Sequence, residues 1–180
     1  MLDYIKHAKK ELKSGTPLPT PYVLVDIGRS INRRKVSIFP LLSLNFYYCR
    51  ALILCNSYQA GLTHLMPKEN PTRTLDYLLK EMGTTSPIYA GIVEAETTYN
   101  YDLAKICSGL NVPVHRQVRM KLEKIENTQN IIPRDVLVDP SSQRIYIHSN
   151  GNLQIIPLMN NLNPFFNTYS ATRIEFLHRC

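Results

Sequence analysis

The chain has 180 residues, a formal net charge of +7, eleven tyrosines, five phenylalanines and no tryptophan. This length suffices to bury a hydrophobic core without disulfides, and the ordinary apolar and modest charged content excludes wholesale disorder. The positive charge favours an acidic partner, such as an acidic protein surface, a membrane face or nucleic acid, but it equally serves solubility alone.

The N-terminal region predicts a short helix and a linker. Residues 2–13 place their apolar side chains roughly on one side of a basic helix, and Gly15 with the prolines that follow ends it in an extended segment. These residues have no apolar core of a signal peptide, and no apolar run in the sequence is long enough to span a membrane. We therefore expect no signal peptide and no membrane span.

Short apolar runs bounded by prolines, glycines and polar residues predict strands. The first two cover Tyr22–Ile27 and Val36–Leu42, and Pro40 indicates that the second is an edge strand or is bulged. The basic segment at 29–35 has no interleaved aromatic side chains, which favours a solvated loop over a nucleic-acid site. Later strands are predicted at residues 87–93, 112–118, 136–138, 144–148 and 153–158.

Two helices are predicted in the middle of the chain. The first follows Asn70 as a cap and Pro71 in the first turn, and an apolar stripe on one face extends to its end at Gly83. The second covers residues 100–109. Helices inserted among strands indicate the α+β class, with helices packed on an antiparallel sheet or sandwich.

We predict a single domain over residues 1–180. Its parts are an N-terminal helix and linker at 1–20, a core at 36–158, and a C-terminal extension at 159–180 whose pattern assigns no element.

The four cysteines are Cys49, Cys55, Cys107 and Cys180. Their spacing matches neither a disulfide framework nor a paired-cysteine metal site, so we expect reduced thiols, as in the cytosol. Cys55 lies six residues after Cys49, on the same face of a regular strand, which favours a core position. Cys107 lies on the inner face of the second helix and is interpreted as packing.

Cys49 and His64 flank the two apolar runs of a predicted hairpin. Adjacent strands joined by a short polar turn bring a residue at the start of the first close to one at the end of the second. A thiol beside an imidazole is the common activated form of a sulfur nucleophile. The Ser43 hydroxyl is placed to orient the imidazole, and Arg50 directly after Cys49 suits a thiol at the mouth of a strand. The alternative is a packed thiol and a structural histidine, which the residue types alone favour.

Other polar side chains are interpreted as structural. Tyr47 and Tyr48 either line the entrance to Cys49 or pack beside it, with equal weight for the two. Glu94 and Glu96, two residues apart at a strand end, are expected to form a solvated rim. Two further histidines on predicted strands, His115 and His148, lack the spacing of metal ligands.

A hydroxyl residue at Ser43 precedes Cys49 by six positions, and an apolar strand then leads to the run Gly61–Pro67, which reads Gly-Leu-Thr-His-Leu-Met-Pro. This pattern resembles the signature of CheD-type chemoreceptor glutamine deamidases, which is Thr-x5-Cys, an apolar strand and then Gly-x-x-His-x-x-x-Pro or a close variant. The likeness covers residues 36–148, with the two helices, the middle strand and the closing hairpin in the same order.

The resemblance implies an α+β fold, an antiparallel β-sandwich with helices packed on it, and conversion of a glutamine side chain to glutamate on a protein substrate. Cys49 would attack the carboxamide carbon, His64 would pass the proton to the departing ammonia and then activate water, and Ser43 would steer the imidazole. The resemblance implies neither a metal nor an organic cofactor. We expect a monomer whose partner is its protein substrate, with no nucleic acid.

The sequence also departs from the family. The family's Gly-Ser before the cysteine is replaced by Tyr47 and Tyr48, and only Gly91 remains of the glycine-rich stretch after the middle strand. These differences favour a substrate other than chemoreceptors. The same Cys–His–hydroxyl fold serves bacterial deamidating toxins, including the catalytic parts of cytotoxic necrotising factor and Burkholderia lethal factor, and an amidohydrolase of amino-terminal asparagine is similar.

We therefore expect a bacterial virulence effector with a protein-glutamine deamidase activity, in the bacterial cytoplasm or delivered by specialised secretion into a host cytosol. The alternatives are a chemoreceptor deamidase, an amidohydrolase of asparagine or of an amino-terminal residue, and a non-enzymatic basic binding module.

Overall fold

A computed structural model describes residues 3–6, 9, 22–25, 34–83, 87–126 and 128–158. The predicted linker and the C-terminal extension at 159–180 lie outside the described residues, as does most of the predicted N-terminal helix. Residues 3–6 and 9 are helical and are called the N-terminal helical segment below.

Within the described residues the chain forms ten strands and two further helices. The strands are β1 (Val23–Val25), β2 (Arg34–Ser37), β3 (Leu41–Phe46), β4 (Arg50–Cys55), β5 (Ala60–Leu65), β6 (Tyr89–Ala95), β7 (Val114–Met120), β8 (Arg134–Asp139), β9 (Arg144–Ser149) and β10 (Asn152–Pro157). The long helix spans Thr72–Met82 and the short helix spans Leu103–Gly109. No helix in this part of the chain is long and apolar enough to cross a membrane.

The strands form two five-stranded sheets. The first sheet has the order β1-β3-β8-β9-β10, and the second has the order β2-β5-β4-β6-β7. The α+β class is therefore confirmed, but the expectation of a wholly antiparallel arrangement is wrong, because β1 pairs with β3 and β6 pairs with β7 in parallel. The β6–β7 connection passes through the short helix, and such a crossover is what parallel neighbours require.

Apolar residues from both sheets meet in one shared core. Alternate side chains of facing strands supply it, and its fully buried members include Leu41, Val136, Val138, Ile145, Ala51, Ile53, Cys55 and Leu62. A second cluster covers the outer face of the second sheet with the two helices, and a third covers the outer face of the first sheet with Ile5 and Tyr22. The helices are thus packed on a sheet, as predicted.

The predicted strand at Val36–Leu42 is wrong as a single element. Residues on its two sides belong to different sheets, because β2 ends at Ser37 and β3 begins at Leu41. Proline has no backbone N–H to give to a ladder, and Pro40 lies in this crossing, where its carbonyl accepts the Val23 N–H at 2.7 Å. The proline therefore marks a passage between sheets.

The hairpin predicted around Cys49 and His64 is confirmed as β4 and β5. The Asn56 side chain accepts the backbone N–H groups of Tyr58 and Gln59 and so stabilises the turn between the strands. The register places Ala51 directly opposite His64. This register positions the candidate site at the end of the hairpin remote from its turn.

Candidate active site

Ser43 and His64 lie in different sheets and meet in the shared core. Ser43 is on β3, His64 is on β5, and both side chains are buried. The Ser43 Oγ lies 3.1 Å from His64 Nδ1. Two of the three residues that the sequence selected are therefore in direct contact across the sheet interface.

A second contact of the Ser43 hydroxyl assigns the protons on the His64 ring. The hydroxyl has one proton, and it donates that proton to the Val25 carbonyl at 2.9 Å. Ser43 Oγ must then accept from His64, so Nδ1 carries a proton and Nε2 is the basic nitrogen of the neutral ring. This is the tautomer that a general base needs when its far nitrogen is held by a neighbour.

Phe46 fixes the plane of the His64 ring. The two rings are stacked, with centroids 3.8 Å apart and planes inclined by 11°. Ser43 and Phe46 are three residues apart, and in a regular strand such residues point to opposite faces. Both face His64 because the pairing of β3 shifts between them, where Asn45 has a φ of 61°. The residue pattern does not predict Phe46 as a site residue, because nothing in it indicates this bulge.

Cys49 lies at the mouth of the hairpin, immediately before β4. The pairs Arg50–Leu65 and Ala51–His64 place Cys49 diagonally across from His64, a relation within reach of side chains on one face of a sheet. Cys49 is partly buried against the shared core, and its Sγ lies 3.5 Å from Met66 Sδ.

Cys49 is only partly buried, and the large side chains next to it are exposed. Tyr47 and Tyr48, which directly precede Cys49 in the chain, are 44% and 46% exposed, and Met66, which contacts the thiol, is 43% exposed. Of the two interpretations of the tyrosines, an entrance fits this exposure. The thiol is thus accessible to a side chain that approaches from solvent.

Two buried arginines, Arg50 and Arg134, donate hydrogen bonds to backbone carbonyls outside the strands. Arg50 donates to the Tyr101 carbonyl and its guanidinium lies 4.4 Å from the centre of the Tyr99 ring. Burial lowers the pKa of Arg50, and the acidic neighbours, Glu94 first among them, oppose that shift. Arg134 donates to the carbonyl of Lys121 and, at 3.5 Å, to that of Tyr47, two residues before Cys49.

The remaining thiols in the described residues are structural. Cys55 and Cys107 are fully buried, and burial raises the pKa of both, to about 11 for Cys107. Such thiols stay protonated at neutral pH and are poor nucleophiles. Cys180 lies outside the described residues.

The other polar candidates do not join the site as reactive groups. The expected solvated rim is correct for Glu96 and wrong for Glu94, whose carboxylate is buried and accepts from Gln117 and Arg119. His115 is exposed beside Tyr89, and His148 pairs with Asp135. No group of three or more metal-ligating side chains occurs in the part of the chain that the structure describes.

Comparison with known proteins gives no assignment. No protein-family model matches the chain, and no curated protein matches it in sequence. The candidate site is therefore defined by its own geometry and by the residue pattern of the Ser43–Pro67 stretch.

Proposed function

We propose that the chain is a cysteine-dependent amidohydrolase that converts a glutamine side chain of a protein substrate to glutamate, in a fold of the CheD-like kind. The observation that carries this proposal is the Ser43 Oγ–His64 Nδ1 contact at 3.1 Å with Cys49 diagonal to the same imidazole. A hydroxyl that holds an imidazole, with a thiol on the neighbouring strand, is the arrangement that activates a sulfur nucleophile, and it supports this proposal.

The chemistry follows from the tautomer of His64. Nε2 removes the proton from Cys49, and the thiolate attacks the carboxamide carbon of the substrate. Backbone N–H groups next to Cys49 stabilise the oxyanion. The imidazolium gives its proton to ammonia as the C–N bond breaks, and His64 then activates the water that hydrolyses the thioester. Ser43 accepts from Nδ1 throughout, so the ring keeps its orientation in both charge states.

Two features favour a protein substrate over a free amino acid. The thiol is bordered by the exposed apolar surfaces of Tyr47, Tyr48 and Met66, which suit contact with a folded or extended polypeptide. The chain's net charge of +7 favours an acidic partner surface. The chain departs from the CheD pattern at Tyr47 and Tyr48, which favours a substrate other than a chemoreceptor. The proposal therefore includes the role of a virulence effector that acts on a host protein.

The proposal is tested by proteomics of cells that express the wild type or Cys49→Ala. We expect Gln-to-Glu conversions at one or a few sites with the wild type and none with the variant, because the variant lacks the nucleophile. Cys107→Ala is the matched control, since it removes a buried thiol remote from His64, and it should retain the conversions.

Two of the alternative functions predict a different outcome. Asn-to-Asp conversions that depend on Cys49 would show that the enzyme acts on asparagine side chains and not on glutamine side chains. A folded Cys49→Ala variant with an undiminished biological effect would favour the basic binding module and contradict an enzymatic role.

A further inference from the structure

The bulge in β3 is closed by a side chain from the neighbouring strand. Asp135 on β8 is the residue that faces the bulge, and its Oδ1 accepts the Asn45 N–H at 3.0 Å. A bulge leaves a backbone N–H outside the strand ladder, and such a group is costly to bury without a partner. The Asp135 carboxylate, which is buried, supplies the partner that the ladder lacks at this point.

The Asp135 carboxylate is itself held from the outer face of the first sheet. Its Oδ2 lies 3.3 Å from His148 Nδ1 and 3.8 Å from Lys9 Nζ in the N-terminal helical segment. His148 is also the direct partner of Asp135 in the β8–β9 register. Because one oxygen is fixed by these neighbours, the other stays directed at the Asn45 N–H.

The bulge is what allows two side chains of β3 to hold one imidazole. Ser43 precedes it and contacts Nδ1 of His64, whereas Phe46 follows it and stacks on the ring. A regular strand would turn Phe46 to the opposite face. The ring orientation therefore depends on a backbone conformation that Asp135 stabilises.

We propose that Asp135 is a positioning residue for His64. Asp135 acts by accepting a hydrogen bond from Asn45, which stabilises the bulge in β3. Its effect on turnover rests on the proposed deamidase function, but its effect on the His64 ring does not. The two effects are measured separately in the experiment that follows.

The test compares Asp135→Ala with Asp135→Asn. The asparagine retains an oxygen that accepts from the Asn45 N–H, so it should preserve the bulge, whereas alanine leaves that N–H unpaired. In Asp135→Ala we expect the His64 ring protons to lose the upfield NMR shift that the Phe46 ring causes. We also expect the pH profile of Cys49 alkylation by iodoacetamide to move up by about one pH unit, which lowers the rate at pH 7 about tenfold.

Asp139→Ala is the matched control, since Asp139 is on the same strand and its carboxylate also accepts a backbone N–H, that of Ser141. It should leave both measurements unchanged. A folded Asp135→Ala variant with wild-type ring shifts overturns the proposal, as does an Asp135→Asn variant that loses them equally. A wild-type Cys49 profile like that of a free thiol, with ring shifts that still depend on Asp135, contradicts the deamidase function alone.

If Asp135→Ala does not fold, a second pair of variants tests whether the bulge at Asn45 orients the His64 ring. Asn45→Gly keeps both the N–H and the positive φ and should match the wild type, whereas Asn45→Val disfavours that φ and should lose the ring shifts. Equal ring shifts in Asn45→Gly and Asn45→Val overturn the proposal.

Discussion

The Ser43 hydroxyl is the side chain on which the orientation of His64 most directly depends. Replacing it by alanine leaves both the His64 Nδ1–H and the Val25 carbonyl without their partner. We expect Ser43→Ala to lower the free energy of unfolding by about 1–3 kcal/mol, and to lower the rate of Cys49 alkylation at neutral pH. Urea unfolding and timed alkylation with mass spectrometry measure the two effects.

Ser43→Thr is the control for this substitution, because threonine keeps the hydroxyl. It should retain most of the alkylation rate even if its added methyl group costs stability in the core. Equal alkylation rates in Ser43→Ala and the wild type would show that the hydroxyl does not orient the imidazole.

Single residues of the site were predictable where chain spacing alone brings them together. Cys49 and His64 belong to one hairpin, so the length of the turn and the apolar runs suffice to place them near each other. Phe46 and Asp135 were not predictable, because the first depends on a bulge and the second on a partner strand 90 residues away along the chain. The solvated rim predicted for Glu94 is wrong because two side chains of the neighbouring strand β7 donate hydrogen bonds to its carboxylate.

Strand β6 packs closely against side chains of the shared core at Gly91. A Cβ added there would lie 2.7 Å from Leu158 Cδ2 and 3.1 Å from Ile145 Cδ1, both in the shared core. We expect Gly91→Ala to lower the free energy of unfolding by about 1–3 kcal/mol, because a packed core accommodates an extra methyl only with strain. Thermal and urea unfolding measure this change.

Gly109, at the end of the short helix, is the matched control for Gly91. A Cβ at that position has no atom within 4 Å, so Gly109→Ala should leave stability unchanged or raise it slightly. If the two variants lost the same stability, backbone conformation rather than the close approach of the sheets would be the cause.

Whole strands and helices were predictable where a local signal ends them. Asn70 accepts the Thr72 N–H at the start of the long helix, and Gly83 ends that helix with a φ of 69°. The assignment of strands to sheets was not predictable, because β2 and β3 are separated only by a short passage at Pro40. The parallel pairs join strands whose pairing no local residue pattern specifies.

The molecule as a whole should lose stability in alkali because its core buries neutral thiols. Burial raises the pKa of Cys107 from 9.0 to about 11, so above pH 9 the unfolded chain loses a proton that the folded chain keeps. The free energy of unfolding then falls as pH rises, by about 2 kcal/mol from this thiol at pH 10.5.

Urea unfolding at pH 8 and pH 10.5 checks this expectation. Cys107→Ala should lose less stability between the two pH values than the wild type, whereas the exposed neighbour variant Ser108→Ala should lose as much. An equal loss in Cys107→Ala and the wild type would mean that other groups, such as Cys55 and Tyr89, whose pKa values burial also raises, account for the decline.

The separation of Asn45 and Asp135 along the chain affects when the thiol acquires its neighbours during synthesis. A ribosome that has just translated the β4–β5 hairpin has made Cys49 and His64, but β8, which closes the bulge in β3, does not yet exist. The bulge that orients the His64 ring is therefore stabilised only after Asp135, 90 residues downstream of Asn45, has been synthesised. A nascent chain that ends before β8 lacks the Asp135 carboxylate that stabilises the bulge, so a truncated product of translation would lack the proposed activity in the cell that makes it.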